Sequence, residues 1–296
     1  MIEDPSATRR AVLVVNPVAG RGRALRLSGP VADVLGRHGW SVQVVVSRDE
    51  DHATATATAA RADEVVVSLG GDGLHRLLAL GCLAGGAPLA PLPGGRGNDL
   101  VRALGLPTDP LVAARALGRT DERRLDVGEV DGRPFLGVAT VGIEGAAGRH
   151  ANSARLLRGS SVYVWGAVRA LVEHRPVPLR VTVDGVGADL LLHGLSVGQS
   201  GRHGGGIRAC PDAVLDDGLL DVTALHACSL PRLVALLLRA FGGGHVRDPW
   251  VSTGRGRVVR VEGPPLALHA DGEPLGVLPA TVTIRPGALR VLVPRA

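Results

Sequence analysis

The sequence predicts an α/β fold in two parts: a parallel, helix-wound sheet first, then an antiparallel, β-rich domain. Three observations predict it. Short apolar runs alternate with helical stretches through the first half. Three of those runs end in glycine turns: VLVVNPVAGRGRA (12–24), SLGGDGLHRLLAL (68–80) and PLPGGRGNDLVRALGLP (91–107). Near residue 125 the rhythm changes to short strands separated by Gly, Pro and Asp. A glycine turn at the carboxyl end of a strand lets backbone N–H groups approach a phosphate with no Cβ in the way. Three in order, two carrying Asp or Asn-Asp, point to a nucleotide site.

Taken in order, AVLVVN (11–16) reads as a buried strand and 23–39 as a helix ending at Gly39. SVQVVVS (41–47) is a second strand, and 51–62 an Ala-rich helix with Asp51 as its cap. Residues 63–73 form a third strand leading into the central turn, with a helix over 75–86. A fourth strand covers 87–95 and its helix 98–106. Strand–helix repeats of this length imply parallel units with right-handed crossovers. Ligands of such sheets bind outside the carboxyl ends of the strands, where all three glycine turns fall. The second domain opens with a hairpin over 125–142, turning at Asp131-Gly132. Short strands follow at 177–198, 219–225, 257–261 and 266–269, interrupted by helical stretches at 160–174 and 229–241. The segment 280–294 reads as a last hairpin with Pro286-Gly287 at its turn.

The 296 residues hold two Phe, one Tyr and three Trp, so Val, Leu and Ala must build the core. All 33 basic side chains are Arg. A phosphate-binding lysine is therefore excluded, and phosphate charge must be met by backbone amides, Arg and metal. The net charge of +5 favours an anionic partner such as a nucleotide or an acidic membrane face. Nucleic acid ranks last, because no basic run is interleaved with stacking aromatics. Cys82, Cys210 and Cys228 lack metal-ligand spacing and suit a reduced, cytoplasmic compartment. No secretory signal or transmembrane span is expected: the best apolar run, Leu233 to Phe241, is short and holds Arg239.

The order of motifs resembles that of the diacylglycerol kinase-like lipid kinases, a family that includes sphingosine kinases. Asn16-Pro17-Val18-Ala19-Gly20 resembles N-P-x-x-G, Gly70 to Gly73 resembles G-G-D-G-T, and Gly95-Arg96-Gly97-Asn98-Asp99 resembles G-T-x-N-D. Residues 204–222 resemble the second-domain signature G-G-G-x-x-x-x-P-x-A-x-x-x-D-G, and Asp271-Gly272-Glu273 a terminal D-G-E. The resemblance spans nearly the whole chain. It implies an α/β nucleotide domain akin to phosphofructokinase and NAD kinase, over 1–124 and completed by 283–296. A β-sandwich lipid domain would occupy 125–282.

It also implies ATP- and Mg²⁺-dependent phosphorylation of a lipid hydroxyl by a protein held peripherally on the membrane, its assembly left open with a homodimer among the arrangements. Asn16, Pro17, Val18, Ala19, Gly20, Ser47, Gly70, Gly71, Asp72, Gly73, Leu74, Gly95, Arg96, Gly97 and Asn98 would line the nucleotide. Asp72, Asp99 and Asp126 would hold or orient the catalytic Mg²⁺, partly through water. Glu273 would be the general base, with Asp72 and Asp271 grouped with it as catalytic. Asp217, with the carbonyls of Val214 and Leu219, would form a separate structural metal site.

The chain departs from the family at Leu74 and Arg96, where Thr is usual, at Arg76-Leu77, where Asn-Glu is common, and at Gln199, where Asn is common. These departures motivate an alternative, a non-catalytic lipid- or nucleotide-binding regulator. A NAD kinase-like soluble kinase is another, since it shares G-G-D-G. Individual residues also have simpler readings. Asp72 would cap its helix, Asp216-Asp217 would sit in a type I turn, and Asp126 would be a strand-edge residue bonded to backbone. Glu273 would be an exposed turn acid, Cys210 a small core residue, and His52, His75 and His203 surface or pocket groups. Residues 160–174 with Tyr163 and Trp165 read as core packing before membrane docking. Residues 231–246 read equally as a lipid-facing element or a buried helix.

Overall fold

A computed structural model describes residues 9–143, 174–204 and 206–295. The chain divides into two compact units, Met1–Leu125 with Gly287–Ala296, and Asp126–Pro286.

The first unit is a parallel sheet in the order β2-β1-β3-β4. Its strands are β1 (Arg9–Val15), β2 (Trp40–Val46), β3 (Glu64–Gly70) and β4 (Leu89–Pro93). Leu13, Val14, Val15, Val66, Val67, Leu69, Leu89 and Ala90 are fully buried, because helices cover both faces of the inner strands. The edge strand β2 leaves Val44 and Val46 partly in water. The helices are α1 (Arg23–Arg37), α2 (Glu50–Ala59), α3 (Asp72–Gly85), α4 (Asp99–Ala103) and α5 (Pro110–Ala116). Helix α1 stops before Gly39, whose φ of +82° turns the chain into β2. The cap of α2 is Asp49 and not Asp51: its Oδ1 accepts the His52 N–H at 2.7 Å, while Asp51 sits inside the first turn. Helix α5 is not anticipated by the sequence pattern; Asp109 accepts the N–H groups of Leu111 and Val112, and Pro110 fixes the first turn.

In the second unit the hairpins close on Asp-Gly pairs with both residues at positive φ, the type I′ geometry that suits strand twist. The turns are Asp131-Gly132, Asp184-Gly185 and Asp271-Gly272. The first joins β5 (Thr120–Val130) to β6 (Arg133–Phe135), which is followed by β7 (Val138–Gly142). The second joins β8 (Val177–Val183) to β9 (Val186–Gly198). Strands β10 (Leu220–His226), β11 (Val251–Gly256), β12 (Val258–Glu262), β13 (Ala267–Ala270) and β14 (Glu273–Val277) complete it, with helix α6 (Leu230–Ala240) between β10 and β11. The long β9 serves two layers: its first half pairs with β8, and its second half with β7 and β10. Phe135, Leu179, Leu192, Leu195, Val259 and Val282 fill the core.

The expected terminal hairpin is absent. Residues Ala280–Pro294 form one strand, β15. Its start is antiparallel to β12, and Val291 lies parallel to Leu89 of β4. Only Gly287 has positive φ there (+59°), and one such residue bends a strand without reversing it. The helical stretch expected at 160–174 lies outside the described residues but for its last. Among the described residues no helix is long and apolar enough to cross a membrane.

Helices α2 and α3 pack so closely that a Cβ on Gly81 would stand 2.5 Å from both the Thr54 oxygen and Ala57 Cβ. Gly81→Ala is expected to destabilise the protein by about 1–3 kcal/mol. Gly36→Ala, in α1 with open space around it, is expected to stabilise it by about 0.5–1 kcal/mol. Urea midpoints of the two variants should move in opposite directions.

Candidate functional site

The glycine turns after β1, β3 and β4 pack backbone against backbone. Gly94 N–H donates to the Gly70 carbonyl at 2.6 Å. A Cβ on Gly94 would stand 2.8 Å from Gly70 N, one on Gly95 2.5 Å from Gly71 Cα, and one on Gly20 2.7 Å from the Gly94 oxygen. The glycines are thus needed for the turns to meet each other, before any ligand is considered. Asn16 ties the first turn to β3, its N–H donating to Leu69 at 3.3 Å, and its Oδ1 accepts the Val18 N–H at 3.0 Å. Pro17 and Ala19 are half-buried beside it, and Val18 is exposed. Ser47, at the end of β2, donates its hydroxyl to the Val15 carbonyl at 3.1 Å and can only accept from a ligand. Asn98 adopts φ +52° and closes the third turn by hydrogen bonds to Gly95 N and O at 3.0 and 3.1 Å.

Asp72 does not cap its own helix. It follows the N-cap Gly71, and its Oδ1 accepts the Asp99 N–H at 2.5 Å, joining the starts of α3 and α4. The N-cap residues of α1, α3 and α4 supply no side-chain cap, and at α4 it is Asp72 of the neighbouring turn that takes the first N–H, whereas Asp49 and Asp109 cap α2 and α5. The Arg23 and Ala24 N–H groups of α1 donate to the Gly20 and Ala19 carbonyls, so the N-terminal amides left for an anion are chiefly those of α3. Gly73 has open space where a Cβ would lie, and the Arg96 guanidinium is exposed near Gly97.

Two expectations from the sequence change here. Leu74, read as a nucleotide contact, is buried, its side chain turned under Gly70. Only its backbone is left to face a ligand. His75, read as a surface or pocket group, is fully buried, with Nδ1 2.7 Å from Ser68 Oγ and Nε2 without a hydrogen-bond partner among the described residues. Helix α3 starts at Asp72, which sets His75 in phase with Leu74, Leu78 and Cys82 on the inner face. Burial pulls its pKa down to about 4.

In the second unit, Asp126 is buried and accepts the Gly218 N–H at 2.6 Å, while its own N–H donates to Leu215. Gln199 donates to the carbonyls of Asp126 and Leu136. Asp126 thus fastens the 215–218 loop. Asp271, grouped with the catalytic residues, instead accepts the N–H groups of Leu136 and Gly137, each at 2.7 Å, with its two oxygens. That clamps the β13–β14 turn and sets the start of β14, where Glu273 stands exposed opposite Ala270.

Asp217, expected at a metal site with the carbonyls of Val214 and Leu219, has both of its carboxylate oxygens engaged by protein groups. One carboxylate oxygen accepts the Leu219 N–H at 3.1 Å, and the other is paired with Arg255 Nη2. The same guanidinium reaches Asp221 at 3.2 Å through Nε. Arg255 supplies the cation that two carboxylates and the exposed Val214 loop would otherwise offer to a metal. No sequence pattern signals this role, because Arg255 lies in no motif and meets Asp221 only through the register of β10 and β11. Burial raises the Asp221 carboxyl pKa against the pull of Arg255.

Residues 10–130 match the family model of the diacylglycerol kinase catalytic domain. Residues 137–293 match the YegS C-terminal NAD kinase beta sandwich-like domain. A diacylglycerol kinase of Mycobacterium tuberculosis strain H37Rv is 35% identical, over 97% of this chain and 96% of its own. A probable lipid kinase YegS-like of Pseudomonas putida is 31% identical over the same shares. In fold, the chain is similar to the crystal structure of a putative diacylglycerol kinase from Bacillus anthracis (TM-score 0.79, 22% identity, 96% of this chain and 97% of that one). It is more distantly similar to an NAD kinase from Archaeoglobus fulgidus in complex with ATP (TM-score 0.52, 14% identity, 97% and 93%).

Two outcomes are expected from these side chains. The folded-state pKa of His75, about 4, lies below the ordinary 6.5. The unfolded chain therefore binds the extra proton between those values, and His75 costs stability as pH falls from 6.5 to 4, on the order of 3 kcal/mol. Urea midpoints should fall across that window and flatten in His75→Gln. Separately, Mg²⁺ without nucleotide should leave the Arg255-paired carboxylates unchanged. In Arg255→Gln the same ion should raise Tm by several degrees through Asp217 and Asp221.

Proposed function

The chain belongs to the diacylglycerol kinase-like lipid kinases, and we propose that it transfers the γ-phosphate of ATP to the hydroxyl of a diacylglycerol-like lipid. The observation that carries this reading is the Asp72–Asp99 link, which joins the starts of α3 and α4 where the glycine turns meet. Phosphoryl transfer asks little covalent chemistry of a protein and much charge neutralisation and alignment. Backbone N–H groups of the Gly70–Leu74 turn and of Arg96–Asn98, with the Arg96 side chain, supply the positive side of that balance. Arg96 takes the place of the usual hydroxyl with a charge-assisted donor.

Asp72 commits one oxygen to Asp99 N–H and keeps the other for a cation, so the residues present suit Mg²⁺, held by Asp72 and Asp99 with retained waters. Bound there, Mg²⁺ would neutralise phosphate oxygens. Glu273 takes the proton of the lipid hydroxyl as the phosphorus–oxygen bond forms. Asp271 acts through the turn it clamps, as a positioning residue. The protein works in the cytoplasm, peripherally on the membrane that holds its substrate.

Transfer of label from γ-labelled ATP with Mg²⁺ into extractable lipid tests the reading. Glu273→Gln should lower kcat by about 10²–10⁴-fold with Tm unchanged, and Asp72→Asn should abolish most transfer. Label in a soluble acceptor alone would support the NAD kinase-like alternative. A folded protein that binds ATP and lipid but transfers nothing would support the regulator that Leu74, Arg76 and Leu77 suggest.

A further inference from the structure

Helix α6, LPRLVALLLRA, is apolar on nearly every side. Among the described residues, Leu233 and Leu236 bury against Ile143, Leu225 and Val251, with Leu237 packed beside them and Ala240 buried on the same side. The face beside it, past the half-buried Leu237, is also apolar and lies in water. Leu230 is 41% exposed, Val234 41%, Leu238 67% and Phe241 59%. These residues recur at helical spacing and form one stripe. A helix with two apolar faces and one covered has an unfilled partner position.

The charge around the stripe identifies that partner. From Ala227 to Arg247 the chain carries Arg232, Arg239 and Arg247 and no acidic residue. Arg232 and Arg239 remain about half exposed although both reach the buried Asp248, at 3.3 and 2.8 Å. One carboxylate cannot neutralise two guanidiniums, so a positive charge is left over on the far rim of the exposed face, across Pro231 and Ala235 from the stripe. Arg208 lies beside the helix end, its main-chain N–H donating to the Ala240 carbonyl and its guanidinium to the Pro211 carbonyl. An exposed apolar stripe with arginine on the rim of the same face fits an anionic lipid surface: the side chains enter the acyl boundary and the guanidiniums meet headgroup phosphates. A second copy of the chain fits worse, because a two-fold contact would set this arginine rim against itself.

We propose that the Leu230–Val234–Leu238–Phe241 face of α6 docks the protein on an anionic membrane. The proposal rests on the lipid-kinase reading and says where that enzyme meets the phase holding its substrate. The test is flotation with vesicles of equimolar phosphatidylglycerol and phosphatidylcholine, and with pure phosphatidylcholine vesicles, without ATP. The wild type should float with the anionic vesicles and far less with the neutral ones. Leu238→Glu/Phe241→Glu should lose at least tenfold in apparent affinity with Tm unchanged, and the milder Leu238→Ser should fall between. Because flotation needs no turnover, a chain that transfers no phosphate still reports docking. Where transfer is active, the double variant should lose rate on vesicle-embedded diacylglycerol and keep it on a short-chain acceptor below its micellar concentration. Wild-type flotation by the double variant overturns the proposal. So does a wild-type dimer in sedimentation that the double variant converts to monomer, which would assign the face to a second copy.

Discussion

The backbone hydrogen bond from Gly94 to Gly70 is the contact on which the first unit's chemistry depends. Two parallel strands already lie side by side, and their exits must also touch for α3 and α4 to start together. A Cβ at Gly70, Gly94 or Gly95 would intrude at under 3 Å on the neighbouring turn or on Leu74. With the turns in register, Asp72 reaches Asp99 N–H, and Asn98 takes a left-handed conformation that its own amide stabilises through Gly95. The site is therefore a consequence of main-chain packing. Its donors are largely peptide groups, which suits a chain with no lysine.

The second unit solves a different problem by one repeated device. Each two-residue turn places an Asp at positive φ, and each carboxylate then accepts N–H groups from backbone outside its own hairpin: Asp131 from Thr281, Asp184 from Arg257 and Val258, Asp271 from Leu136 and Gly137. An Asp in that position satisfies the turn conformation and holds a segment outside its own hairpin. The D-G-E motif is the third instance of the pattern. Its Asp carries the structural load, which leaves Glu273 exposed on a fixed backbone.

Much of this was legible in residue order. Strands β1, β3 and β4 are nearly unbroken apolar runs because both their faces are covered, and the glycine turns mark where they end. What escaped depended on phase or on distant pairing. Starting α3 at His75 hid that residue's place on the buried face; a start at Asp72 reveals it. Pro286-Gly287 reads locally as a turn, yet β15 continues through it because its two halves pair with different strands. Arg255 faces Asp221 across a ladder and Asp217 beyond it, a relation that no spacing within the chain announces.

The departures from the family pattern act differently according to where each residue sits. Leu74 replaces a hydroxyl side chain, but here it fills the space under Gly70, above the buried Ser68–His75 pair. A residue that packs beneath the turn steadies the peptide groups above it, so its effect on a phosphate passes through backbone geometry. Arg96 is exposed, a long cationic side chain where the family pattern has a threonine. Arg255 follows the same logic in the second unit, a fixed guanidinium standing where a bound cation is expected. Fixed arginines need no ion to be recruited and do not exchange. They also cannot be retuned by the ion supply, because guanidinium stays protonated at any working pH. In this chain an arginine stands at one position where the family pattern has a hydroxyl, and another is paired with the carboxylate that the family resemblance assigns to a metal.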